Sequence, residues 1–409
     1  MNILNILLGI LLFFLIILVH EFGHFTVAKL CKMKVKEFAI GMGPKLFKKR
    51  IGETVFAFKA LPIGGSVMLD EDVENDDPRS FRNRPVWMRI LVIAAGAFMN
   101  FVLGFIFCII SVLCSNSVST NVVAGFQEGA ISSSVLQAND KILKINGMNI
   151  YTTMDISFQL SNSQSRGIGS QYYSYDFVVE RNGQTVELND VKFASRSYAK
   201  MISEYKKLVG EKEGYAALPT EYFDIDTNSY TEAFKELEKN DAEFAKSFTA
   251  IADEYKSGYT SEENNLYLDF IVYGERHNFV NVIQAACANF VSYGRLIWIS
   301  FGNLLNGTYG LNEMSGPIGV VQSVSTVAFG WGSLMTLASL IAINIGIVNL
   351  LPIPAMDGGR LVFLFIELIR GKPVKAEHEG MVHFIGIVAL MVLMVIVTFN
   401  DIVRIITGG

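Results

Sequence analysis

An almost unbroken apolar run occupies residues 3 to 19, and its length and composition suit a helix that crosses a membrane. Three further apolar stretches of similar length follow later in the chain, and 51% of all residues are hydrophobic. The sequence therefore predicts a polytopic α-helical membrane protein with about four transmembrane helices. The predicted spans cover residues 3 to about 30, 86 to about 113, 334 to about 351 and 381 to about 399.

Charge is distributed unevenly between the predicted loops. Nine basic residues lie between Lys29 and Lys59, whereas residues 115 to 278 carry 24 acidic against 15 basic residues. Because basic loops stay on the cytoplasmic side of a membrane, the first loop is predicted to be cytoplasmic and the acidic block extracytoplasmic. The chain start lacks the basic segment and cleavage site of a removable signal peptide, so the first span should be retained. No basic domain or base-stacking motif indicates a nucleic-acid partner.

The first apolar run leads directly into the motif His20-Glu21-Phe22-Gly23-His24. Side chains four residues apart share one face of a helix, so His20 and His24 could hold one metal ion together. Glu21 would then be placed to accept a proton from an attacking water. Polar groups at membrane depth are costly and are usually kept for function. The alternative is a polar helix end with two interfacial histidines.

A catalytic zinc usually takes three protein ligands, so a third ligand is expected at the same depth and on the same side. Asp357 meets this demand, because it follows the third span in the Pro- and Gly-rich stretch Pro352–Arg360. The alternative role for Asp357 is a helix N-cap. His378 and His383 are five residues apart, which separates them around a helix, and they are predicted to be interfacial. The four cysteines form no CxxC pair and are interpreted as packing residues.

The loop from Val35 to Leu69 contains too many Gly and Pro residues for a helix. Thr54–Lys59 is rich in β-forming residues and follows a Gly52-Glu53 turn. We predict a membrane-associated β-hairpin or small sheet beside the first helix. Its open edge could pair with an extended peptide, although a plain structural loop is an equally open interpretation.

Residues 115 to 278 begin with short apolar runs around tight-turn signals such as Asn146-Gly147. Charged amphipathic helices are predicted from about 195 to 261, and Leu266–Tyr273 returns to strand character. The block is interpreted as a small β domain with a helical insertion before its final strand. The predicted domain boundaries are 1–114, 115–278, 279–332 and 333–409. The third of these is an amphipathic or interfacial connection, and whether residues 279 to 305 enter the membrane stays open.

Three asparagines lie at membrane depth. Asn100 in the second span could face the metal site, and Asn344 and Asn349 in the third span could hold a substrate backbone or stabilise an oxyanion. Hydrogen bonds between packed helices are the alternative role for these amides.

Together these motifs resemble site-2-protease-type intramembrane zinc metalloproteases, of the kind that includes the bacterial regulator of sigma-E protease. The chain departs from that family's usual pattern at Ala97, where Pro is common. It also has one β domain with a helical insertion, where some members have two tandem domains. The resemblance rests on five motifs, His20–His24, Pro62–Gly65, Gly96–Asn100, Ser315–Gly319 and Asn344–Gly359.

The resemblance implies a zinc cofactor held by His20, His24 and Asp357, with Glu21 as the general base. It also implies a PDZ-like fold for the extracytoplasmic domain. Substrate contacts are implied for four residues, Gly64, Gly65, Asn344 and Asn349.

The implied activity is cleavage within or beside the transmembrane segment of single-pass membrane proteins, such as anti-sigma factors or remnant signal peptides. The implied location is the bacterial cytoplasmic membrane, with the active site toward the cytoplasm. A non-catalytic PDZ membrane scaffold is the first alternative, and the intact motif residues argue against it. A metal transporter is the second, and the small number of intramembrane ligands argues against it.

Overall fold

The computed structural model describes residues 3–70, 77–162, 172–210, 214–224, 228–258, 266–307 and 330–407. The chain divides into two compact units. Unit 1 comprises Met1–Asn116 and Asn278–Gly409, and unit 2 comprises Ser117–His277. The motif Ser315–Gly319 lies outside the described residues.

Ten α-helices occur in the described part of the chain. In chain order they are α1 Ile3–Leu30, α2 Val86–Cys114, α3 Thr153–Asn162, α4 Arg196–Val209, α5 Glu232–Asn240, α6 Ala242–Gly258, α7 Phe279–Leu305, α8 Trp331–Leu350, α9 Asp357–Arg370 and α10 Ala376–Thr407.

Four of these helices are long and apolar enough to cross a membrane, which confirms the predicted number of spans. α7, the helix in the predicted connection, is not one of the four. The apolar stretches are Leu8–Leu30, Val86–Cys114, Trp331–Leu350 and Glu377–Val403.

Helices α1, α2 and α8 pack around a shared apolar cluster in unit 1. Ile16 of α1 and Phe107 of α2 are buried against Ala338 and Ala342 of α8. Small side chains let membrane helices approach closely, so the alanines allow α8 to lie tightly against the other two helices.

A β-sheet follows α1 directly, as the loop composition predicted. Strands β1 (Val35–Ile51) and β2 (Thr54–Leu69) are joined by a turn at Gly52, whose φ is +61°. Both strands are long and irregular, with register shifts along their pairing. Residues 37–40 of β1 pair both with residues 65–68 and with residues 55–58 of β2. The sheet therefore doubles back on itself, and residues 65–69 form one of its outer edges.

Unit 2 contains a six-stranded antiparallel sheet in the order β10-β3-β4-β6-β7, with β5 paired to β4. A separate pair, β8–β9, lies in the insertion together with α4, α5 and α6. The strands are β3 Val118–Phe126, β4 Lys141–Ile145, β5 Met148–Asn149, β6 Tyr172–Arg181, β7 Gln184–Ala194, β8 Phe223–Asp224, β9 Ser229–Tyr230 and β10 Phe270–Glu275.

Two apolar cores stabilise unit 2. One lies under the sheet and includes Phe177 and Phe193, and the other lies within the helical insertion and includes Tyr205 and Phe248. The final strand β10 returns after the insertion and pairs with β3. The insertion therefore has its own core. It separates β10 from the earlier strands along the chain, but β10 still joins the same sheet.

Candidate metal centre

Helix α2 holds both histidines of α1 from behind. His24 Nδ1 lies 2.8 Å from the backbone carbonyl of Val92, and both histidine side chains are buried. A carbonyl oxygen can only accept, so Nδ1 of His24 carries the proton and Nε2 keeps its lone pair. A Cβ placed on Gly96 would lie 2.3 Å from His24 Nε2. The absent side chain of Gly96 thus makes room for the two imidazoles.

Asp357 reaches the histidines because the chain turns sharply between α8 and α9. A Cβ on Gly358 would lie 1.9 Å from the carbonyl oxygen of Leu351, so only glycine fits this turn. Ala355 has a φ of +75°, and its N–H donates to Nδ1 of His383 at 2.9 Å. Helix α9 begins at Asp357 with Met356 as its N-cap. The alternative role of Asp357 as an N-cap is therefore wrong, and its carboxylate is free to face α1.

The three candidate ligand atoms form a nearly equilateral triangle. His20 Nε2 and His24 Nε2 are 3.2 Å apart, and each is 3.2 Å from Asp357 Oδ2. A tetrahedral zinc site with metal–ligand distances of about 2.0 Å has edges of about 3.3 Å between its ligand atoms. Lone pairs that converge at this spacing repel one another unless a cation or a shared proton lies between them. The donor set therefore fits zinc.

Glu21 follows His20 in α1 and lies against strand β2 of the β-sheet at Gly65. A Cβ on Gly65 would lie 2.6 Å from Cγ of Glu21, so the strand backbone runs directly against this side chain. Val67 of the same strand also lies near the carboxylate. A narrow cleft beside the glutamate is lined by Phe14, Leu18, Ala39, Ile40, Gly64 and Gly65.

The sequence also singled out three asparagines and two further histidines. Asn100 is fully buried, with Nδ2 3.3 Å from Nδ1 of His20. Asn344 is exposed and Asn349 half-buried on α8. His378 is exposed, and His383 contacts the turn before Asp357.

Two supports of the site were not predicted from the sequence. The Val92 carbonyl is a backbone group, which has no side-chain signature. Arg89 on α2 forms a two-pronged ion pair with Glu367 on α9, at 3.0 and 2.5 Å, and both side chains are largely buried. A charged residue near the start of α2 and another near the end of α9 were the available signal, but 278 positions separate them in sequence.

Comparison with known proteins agrees with this geometry. Residues 8–393 match the family model of peptidase family M50. The chain is 30% identical to a protein of Fusobacterium nucleatum named as a zinc metalloprotease, over 97% of this chain and 98% of the relative. It is 31% identical to another so named from Clostridium acetobutylicum, over 98% of each. It is 28% identical to the regulator of sigma-W protease RasP of Bacillus subtilis, over 98% of this chain and 97% of the relative.

These matches cover both halves of the candidate centre, the motif in α1 and the start of α9. The relatives bear zinc metalloprotease names, which agrees with the donor set described above. The chain therefore belongs to peptidase family M50, and it is a multi-pass membrane metalloendopeptidase that uses zinc.

Proposed function

We propose that this protein cuts other membrane proteins within or beside their membrane-spanning segments, with zinc held by His20, His24 and Asp357. The observation that carries the proposal is the 3.2 Å triangle of their ligand atoms next to Glu21, with both histidines on a helix that is long and apolar enough to cross a membrane. Bound zinc supplies a Lewis acid that activates water and polarises the scissile carbonyl. Glu21 accepts the proton of the attacking water and returns it to the leaving amine.

The edge of the sheet would present the substrate to Glu21. A helix must unwind before a protease can reach its backbone, and an extended chain can pair with an open strand edge. Residues 65–69 of β2 form such an edge, and Gly65 and Val67 contact Glu21. In this proposal Gly64 and Gly65 lie against the substrate strand, and the accessible amides of Asn344 and Asn349 bind its backbone.

The proposed orientation places the metal site toward the cytoplasm and residues 115 to 278 outside. The basic loop after α1 and the acidic excess of the outer block support this orientation. We propose a PDZ-like fold for the outer domain, supported by its antiparallel sheet, whose last strand pairs with β3. Single-pass proteins already trimmed on the outside, such as anti-sigma factors or remnant signal peptides, are the proposed substrates.

Cleavage of a tagged single-pass membrane protein with a shortened outer segment tests the catalytic assignment. The full chain, Glu21→Gln and the exposed-site control Glu377→Gln are each expressed with this substrate. We expect wild type and the control to cut, and Glu21→Gln to bind zinc at wild-type stoichiometry without cutting. Cleavage by Glu21→Gln, or no cleavage by zinc-loaded wild type, would contradict the proposal.

The outer domain is proposed to exclude substrates that still carry a large outer segment. Deleting residues 121 to 275 should then allow the untrimmed substrate to be cut, while the trimmed one is cut as before. The measurement is the ratio of the two cleavage rates by immunoblot. An unchanged ratio in a deletion variant that still cuts the trimmed substrate would rule out size exclusion by this domain.

A further inference from the structure

The two histidines of α1 differ in what holds their outer nitrogens. Val92 accepts a hydrogen bond from Nδ1 of His24, whereas Nδ1 of His20 faces the side-chain amide of Asn100. Val92, Gly96 and Asn100 are spaced by four residues, so they form one stripe along α2. Both imidazoles pack against this stripe.

The side-chain amide of Asn100 is fully buried, and one of its two polar atoms has a partner. Its Nδ2 lies 3.3 Å from His20 Nδ1, and within the described chain its Oδ1 has no hydrogen-bond partner. Rotation of the amide by half a turn exchanges its oxygen and nitrogen at nearly the same positions.

The chemistry of the ligand decides which end of the amide must face His20. If Nδ2 donated to Nδ1, the imidazole proton would lie on Nε2, which points at His24 and Asp357. That tautomer cannot bind a metal through Nε2. With Oδ1 facing Nδ1, the Nδ1–H donates to the amide and the lone pair of Nε2 faces the other ligands.

We infer that Asn100 is a positioning residue, whose Oδ1 accepts a hydrogen bond from Nδ1 of His20 and so fixes the metal-binding tautomer and ring orientation. The inference rests on the proposed ligand set. It makes Asn100 the side-chain counterpart of the Val92 carbonyl, so that α2 sets the tautomers of both histidines.

The test compares an apolar and an acceptor-only replacement in the purified full chain. Asn100→Leu keeps the size of the side chain but removes the acceptor, and Asn100→Asp keeps the acceptor. We expect Asn100→Leu to lower zinc affinity by about 10- to 100-fold, as measured by competition with a chromophoric chelator. We expect Asn100→Asp to bind zinc at least as tightly as wild type.

Cobalt substitution gives a second readout that a merely structural role would not change. The visible absorption of bound Co²⁺ should shift in Asn100→Leu and stay close to wild type in Asn100→Asp. Ser111→Ala is the matched control, because it removes a buried hydrogen bond to Gly332 from the same helix, eleven residues away. This control should change neither affinity nor spectrum.

The outcomes separate this inference from the proposed function. Wild-type affinity and an unchanged cobalt spectrum in Asn100→Leu would overturn the inference, as would an Asn100→Asp variant as weak as Asn100→Leu. His20→Ala is included, because unchanged zinc binding in that variant would overturn the ligand set itself. If Asn100→Leu does not fold, the unbranched Asn100→Met replaces it with the same expected loss.

Discussion

Two glycines bring backbone against the proposed catalytic groups. Gly96 faces the imidazoles of His20 and His24, whereas Gly65 faces the carboxylate of Glu21. A methyl group at either position would enter space already occupied by a side chain. Substitution of Gly96 by alanine should therefore disturb metal binding, and substitution of Gly65 by alanine should disturb proton transfer by Glu21.

Gly96→Ala should weaken zinc binding. Its Cβ would lie 2.3 Å from His24 Nε2 and 2.7 Å from His20 Cε1, so both rings must leave the positions in which their Nε2 atoms face Asp357. We expect zinc affinity to fall by about tenfold or more, measured by chelator competition. Gly294→Ala on α7 is the control, because its Cβ would meet no atom within 4 Å. Equal zinc affinity in Gly96→Ala and wild type would contradict this account.

Gly65→Ala should leave zinc in place and slow cleavage. Its Cβ would lie 2.6 Å from Cγ of Glu21, and none of its three nearest atoms belongs to a candidate metal ligand, so we expect the proposed general base to be displaced. We expect a fall in rate of about 10²-fold or more, since general-base catalysis contributes about 10²- to 10⁴-fold. The check is kcat together with zinc stoichiometry. A variant that lost zinc along with activity would show that the strand also supports the ligands.

Helix α9 is held near both of its ends, by α1 at its start and by α2 near its last turn. Asp357 at its first residue faces the histidines, and Glu367 near its last turn pairs with Arg89. Desolvation makes a buried ion pair a weak source of net stability, but removal of one partner leaves a buried charge uncompensated. The pair therefore fixes where α9 lies along α2 more than it stabilises the fold.

This view predicts a non-additive mutant cycle. Arg89→Met alone should lower the free energy of unfolding by about 3–5 kcal/mol, whereas Arg89→Met with Glu367→Leu should recover most of that loss. Thermal or denaturant unfolding in detergent measures both. The exposed pair Lys200–Glu254 is the comparison, and Lys200→Met should cost less than about 1 kcal/mol. A double variant as unstable as the single one would assign the loss to packing instead.

Elements with local signals were predictable, and those that depend on distant pairing were not. The apolar runs indicated four spans, and Gly52 marked the turn between β1 and β2. The double pairing of residues 37–40 had no local signal, because it depends on bends within both strands. The sequence predicted Asp357 as a candidate ligand. It did not show that Met356, and not Asp357, is the N-cap of α9, because this depends on the turn between α8 and α9.

At the scale of the whole molecule, all candidate ligands lie in one unit. His20, His24 and Asp357 belong to unit 1, whereas unit 2 has two apolar cores of its own and none of these ligands. Because a ligand stabilises only the structure to which it binds, zinc should stabilise one unit selectively.

Removal of zinc should therefore affect the two units differently. In hydrogen exchange of the full chain with a zinc chelator, we expect faster exchange in the second half of α1 and the first turn of α9, with no change in β3 to β7. The His20→Ala/His24→Ala variant is the control and should not respond to chelator. Equal loss of protection in unit 2 would contradict the independent stabilisation of unit 1.

The separation of the ligands along the chain also has a consequence during synthesis. More than three hundred residues lie between His24 and Asp357, so the two halves of the site leave the ribosome on the order of tens of seconds apart. Until α9 has been synthesised, a growing chain presents two histidines and a glutamate without the third candidate ligand. If the proposed function and ligand set hold, a nascent copy cannot cut the membrane proteins that are being inserted around it, and the order of translation itself delays proteolysis.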